Sequence, residues 1–147
     1  MKLPLVPELL LPAGTLDSLK TAILYGADAV YAGTPALSLR TRSRLSFDGL
    51  ATGIRFAHER GKQVYLTLNL FAHHRDLERI EESLPILRDL KPDGLIVADP
   101  AVFELARQIA PELELHVSTQ ANVMSWRGVE HWRKQGMPMA IRISTAG

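Results

Sequence analysis

Two hydrophobic periods alternate along this chain. Short apolar runs bounded by proline, glycine and aspartate recur between longer segments whose apolar positions fall three and four residues apart. Glu8 to Gly14 reads as a first strand stopped by Pro12 and Gly14. Thr15 then caps a helix that places Leu16, Leu19, Ile23 and Leu24 at helical spacing, with Asp17 at its positive end and Gly26 as its stop. Asp28 opens a second strand, Ala29 to Gly33, which completes a βαβ unit of about 30 residues.

The pattern repeats. Ser46 caps a helix that ends at Gly61, and a third strand spans Gln63 to Leu70. A third helix starts near Asp76, with Pro85 inside it predicting a kink or a division into two pieces. Gly94 to Asp99 forms the fourth strand. Asp99 and Pro100 supply the cap and first turn of a fourth helix that stops at Pro111, a fifth strand covers Leu115 to Asn122, and Ser125 caps a helix from Trp126 to Gln135. A sixth strand is expected over Met139 to Ser144. The reading is an α/β chain of parallel (β/α) repeats, about six strands and five helices in one domain across residues 1–147.

A doubly wound sheet and an incomplete TIM-like barrel both fit this order. The polar positions favour the barrel. In the third strand Gln63, Tyr65, Thr67 and Asn69 alternate with Val64, Leu66, Leu68 and Leu70; in the fifth, His116, Ser118, Gln120 and Asn122 alternate with Leu115, Val117, Thr119 and Ala121. Central strands of an open parallel sheet are apolar on both faces, whereas a polar row suits a barrel interior. Such a row is either an internal hydrogen-bond network or a ligand site.

Ligands of both architectures bind beyond the carboxyl ends of the strands. Asn69, Asp99, His116, Ser118, Gln120 and Asn122 are therefore candidate binding residues, although Asp99 already has a task as a helix cap. Arg40 and Arg42 join them from the long loop between Thr34 and Leu45. Arginines there can grip phosphate or carboxylate in bidentate fashion, or simply face solvent. No residue is assigned as general acid, base or nucleophile. His73 and His74 lack a partner carboxylate at metal spacing, so no metal site is expected. His74-Arg75-Asp76 matches one short kinase string without the other kinase motifs. Trp126 and Trp132, six apart, cannot share a helix face, so one should pack on the sheet and one lie at the rim.

Composition narrows the chemistry. Seventeen Lys and Arg against 16 Asp and Glu leave a net charge of +1, so no global field points to DNA or an anionic membrane. The absence of cysteine removes disulfides, thiolate nucleophiles and iron-sulfur ligation from these residues. The start, Met1 to Glu8, has two prolines and an early acid where a signal peptide has an apolar core, and no apolar run reaches spanning length. A cytoplasmic location is expected.

Several separate stretches, in order and in spacing, resemble the collagenase-like peptidase family, also called peptidase family U thirty-two. They are Pro7 to Thr15, Tyr25 to Gly33, Ser38 to Arg40, Asn69, Ser118 to Asn122 and the helix from Trp126 to Trp132. Within the family the chain is most similar to the tRNA hydroxylation branch. That resemblance implies a barrel-like N-terminal domain, a tRNA partner, formation of 5-hydroxyuridine at the wobble position, and prephenate as a required metabolite. Family members continue through an Arg-Glu pair into a cysteine-containing region thought to hold an iron-sulfur cluster. Here Ser144 and Thr145 stand at that place and the sequence stops at Gly147. The expectation is a barrel cut short after its sixth strand, as by a frameshift or in a gene fragment. Its open edges would aggregate or pair with a partner chain that completes the barrel. Three functions follow: tRNA hydroxylation by descent, peptide-bond hydrolysis as the family label suggests, or a remnant or partner-dependent subunit without activity of its own. The last is the reading for these 147 residues taken alone.

Overall fold

The structure, a computed structural model, describes residues 7–35, 37 and 44–137. Five strands alternate with five helices: β1 (Leu10–Ala13), α1 (Leu16–Leu24), β2 (Ala29–Gly33), α2 (Phe47–His58), β3 (Gln63–Leu68), α3 (His74–Asp89), β4 (Gly94–Val97), α4 (Pro100–Ile109), β5 (Leu115–Val117) and α5 (Trp126–Lys134). The expected sixth strand and the loop residues that include Arg40 and Arg42 lie outside the described residues.

Helix starts follow the local chemistry. Thr15, Ser46, Asp99 and Ser125 each turn a side-chain oxygen onto a free N–H of the first turn of α1, α2, α4 and α5. Gly26 and Gly136, at φ 102° and 90°, close the turns after α1 and α5. Pro85 neither splits nor ends α3, which runs unbroken for 16 residues. Ile80, Leu84 and Leu87 on either side of it are completely buried. Their burial holds the helix to the sheet across the one missing donor, an override of local preference by packing.

All four strand pairings are parallel, and the sheet order is β1-β2-β3-β4-β5. That sequential order decides between the two architectures, because a doubly wound sheet reverses direction at a switch point and a barrel wall does not. The described wall is open, with β1 and β5 at its edges. Pro12 is tolerated in β1 because an edge strand can spare a donor.

The two faces of the wall differ. Leu11, Ala13, Val30, Ala32, Val64, Leu66, Leu68, Leu95, Val97, Leu115 and Val117 project to one side, where they join residues from every helix in a single apolar cluster. The opposite, inner face carries the polar positions, and the register sorts them into layers. Tyr65 is level with Tyr31 and Gly94; Thr67 is level with Gly33, Ile96 and, across β4, His116. One further step along each strand brings Asn69, Ala98 and Ser118 to a common level at the carboxyl edge. Tyr65, Thr67, Asn69, His116 and Ser118 are all buried.

Candidate substrate pocket at the carboxyl edge

The innermost layer is set by a glycine. Gly94, the first residue of β4, lies between Tyr65 on β3 and His116 on β5, whose rings meet edge to face with centroids 5.1 Å apart. A β-carbon at Gly94 would stand 2.8 Å from the Glu114 carbonyl oxygen and 3.1 Å from a carbon of each ring. Only a bare backbone lets the two aromatics close over the middle strand. The Tyr65 hydroxyl donates to Gln63 Oε1 at 3.2 Å, and His116 Nε2 stands 3.1 Å from Glu114 Oε1. His116 thus belongs to the floor of the inner face, turned toward the amino half of the wall.

Above it, two threonines lace β2 to β3. Thr67 Oγ1 donates to the Ala32 carbonyl at 3.3 Å, and Thr34 Oγ1 donates to the Thr67 carbonyl at 2.9 Å. The upper layer is made of neutral hydrogen-bonding side chains. Asn69 follows β3 and is buried; Ser118 follows β5, where its N–H donates to the Val97 carbonyl at 2.7 Å.

The alternation expected through Asn122 ends at Ser118. β5 closes at Val117, and Thr119–Ala121 form a 3₁₀ turn whose first free N–H, that of Gln120, is taken by Ser118 Oγ at 3.3 Å. A serine able to bond its own backbone diverts the chain from the ladder. Gln120 is left half-buried, its Oε1 without a hydrogen bond among the described residues. Asn122 is exposed in the left-handed region at φ 54°, ψ 42°, a conformation asparagine accepts more readily than most residues. Asp99 acts as the α4 cap, accepting from Ala101 N at 2.8 Å.

The structure therefore gathers Asn69, Asp99, Ser118 and Gln120 along the carboxyl edge of three adjacent strands, sets His116 beneath them and Asn122 outside. Arg40 and Arg42 lie outside the described residues. Gly94 and Glu114 escaped sequence reading; a glycine at the very start of an apolar strand was the available signal. Without a thiolate in the chain, the donor set does not fit an iron-sulfur cluster.

Peptidase family U32 matches residues 14–141. The chain belongs to this family. Among curated relatives of this U32 chain, tRNA hydroxylation protein P1 of Bacillus subtilis is 40% identical over 136 residues, covering 92% of the chain and 32% of that protein. The tRNA hydroxylation protein P of Escherichia coli is 41% identical over 136 residues, covering 92% of the chain and 30% of that protein. The chain thus spans about a third of the length of these relatives. The solved structure of the U32 peptidase Mk0906 superimposes with a TM-score of 0.72 at 19% identity, over 93% of this chain and 58% of that one. This agrees with the barrel-type wall.

Proposed function

We propose that this U32 chain forms the substrate-pocket part of a cytoplasmic protein that helps make 5-hydroxyuridine at the wobble position of tRNA, with prephenate as the metabolite used. The observation that carries the reading is the 40% identity with a tRNA hydroxylation protein across nine-tenths of the chain. The pocket chemistry is in keeping with it. The carboxamides of Asn69 and Gln120 and the hydroxyl of Ser118 offer donors and acceptors of the kind that read the edge of an unstacked base. Peptide hydrolysis has less support. The hydroxyls of Thr34, Thr67 and Ser118 already serve backbone groups, which is a positioning duty rather than that of an activated nucleophile.

The test is a chimera in which this chain replaces the matching third of the B. subtilis protein, in a strain without its own hydroxylation proteins. Mass spectrometry of bulk tRNA should show 5-hydroxyuridine restored, and lowered about tenfold or more when Asn69→Ala leaves a pocket hydrogen bond unmade. A soluble chimera that restores none, or one in which Asn69→Ala changes nothing, would overturn the reading.

A further inference from the structure

Helix α5 carries two tryptophans with opposite fates. Trp132 packs against the core, its ring 5.5 Å from Phe103 at 80°. Trp126 is 71% exposed. Its exposure is not looseness. It is the first residue of α5, whose start is held by Ser125 Oγ accepting from Gly128 N at 3.3 Å, and whose end is held by Arg107 of α4 donating to the Gln135 carbonyl. The helix thus presents an indole to solvent from a fixed base.

The surroundings are cationic. The Arg127 guanidinium lies 5.0 Å from the Trp126 ring, and it forms no ion pair among the described residues. The one carboxylate on the helix, Glu130, is fully engaged by Arg133 through two contacts of 2.7 Å. Arg127 therefore keeps its charge for an outside anion. Met124, 86% exposed, continues the surface toward the Ser118–Asn122 turn, and exposed Phe71 follows β3 on the same edge of the sheet. An indole flanked by an unneutralised guanidinium, on the helix that follows the Ser118–Asn122 turn, has the makings of a single-stranded nucleic-acid contact, in which π-faces stack and cations track phosphate.

We propose that Trp126 is a stacking platform for an unpaired base of the RNA substrate, with Arg127 on the adjoining phosphate. The proposal rests on the hydroxylation reading for its choice of RNA. The experiment titrates the full 147-residue chain against a fluorescein-labelled single-stranded RNA of seven nucleotides and follows anisotropy. Trp126→Ala should weaken binding about tenfold or more, and Trp126→Phe should hold it within about threefold, because any aromatic face can stack. Arg127→Ala should lower the slope of log affinity against log salt by about 0.7, the loss of one phosphate contact on a single strand. Helix content by circular dichroism should stay as in the parent, since Ser125 and Trp132 are untouched.

Equal binding by the parent and Trp126→Ala overturns the platform, as does a parent that binds no RNA. A parent that self-associates by light scattering while Trp126→Ala does not also overturns it, and makes the indole a protein contact. The chimera separates this from the broader reading. Hydroxyuridine restored together with Trp126-independent RNA binding removes the platform and keeps the function; Trp126-dependent binding with no hydroxyuridine does the reverse.

Discussion

The two ends of the strands are built from different chemistry. At the amino ends sit two matching aspartates. Asp28, just before β2, donates its N–H to the Leu9 carbonyl at 2.9 Å and accepts from Leu9 N at 2.9 Å; Asp93, just before β4, donates to the Val64 carbonyl at 2.9 Å and accepts from Val64 N at 2.7 Å. The end of α2 and the turn that follows it reach both. Lys62 Nζ lies 3.1 Å from Asp28 and His58 Nε2 lies 2.9 Å from Asp93. At the carboxyl ends the Asp99 carboxylate is spent on capping α4, the other groups are the neutral side chains of Asn69, Ser118 and Gln120, and Gln120 Oε1 accepts no hydrogen bond among the described residues. The two aspartates are committed to backbone and cationic partners of this chain, whereas the buried, unpaired Gln120 Oε1 is the kind of group a ligand can satisfy. The difference separates the end that holds the wall together from the end that can bind, as in barrels generally.

That division predicts unequal damage. Gly94→Val, at the amino end, should cost the most stability, about 3 kcal/mol in urea unfolding, because the new side chain meets the Glu114 backbone as well as two rings. A loss well under about 1 kcal/mol would show that the Tyr65–His116 floor can open at little cost. Asp93→Ala should follow at about 2 kcal/mol, since it strips a partly buried Val64 N–H of its acceptor. Ser118→Ala, at the other end, should cost about 1 kcal/mol or less while lowering hydroxyuridine in the chimera. The reverse ranking of Asp93 and Ser118 on stability would dissolve the comparison.

The smallest effect concerns acid. The Leu9 N–H, then Lys62, hold the Asp28 carboxyl below the usual carboxylate range. Its folded-state pKa is thus depressed, so its contribution is present above the unfolded-state pKa and fades as pH falls through the folded value. Asp28→Asn should therefore narrow the gap between urea midpoints at pH 7 and in the acid range below the usual carboxylate pKa. An unchanged gap would assign the acid sensitivity elsewhere.

Much of this was legible in the residues. Caps, glycine stops and the apolar face of each strand follow from local pattern, and the polar alternation of β3 correctly signalled an inner face unlike that of an open sheet. Trp126 and Trp132 separate as their spacing predicts, one exposed and one against the core, but the ring partner of Trp132 there is Phe103 of α4 rather than a strand residue. What the pattern concealed were choices made by single side chains. Ser118 bonds its own backbone and ends β5 early, so Gln120 and Asn122 leave the row that their spacing assigned them. Pro85 is outvoted by three buried neighbours. The twin aspartates are invisible to periodicity because their partners lie 19 and 29 residues away.

Those twin clasps also bear on how the protein breathes. Each closes one βαβ unit on itself: Asp28 ties the base of β2 to that of β1, and Asp93 ties β4 to β3. Opening either unit breaks both bonds of a clasp at once. Amide hydrogen exchange should accordingly proceed in blocks of two strands, with Leu9 and Val64 as the reporters of their respective blocks and β5, which has no such clasp among the described residues, exchanging first.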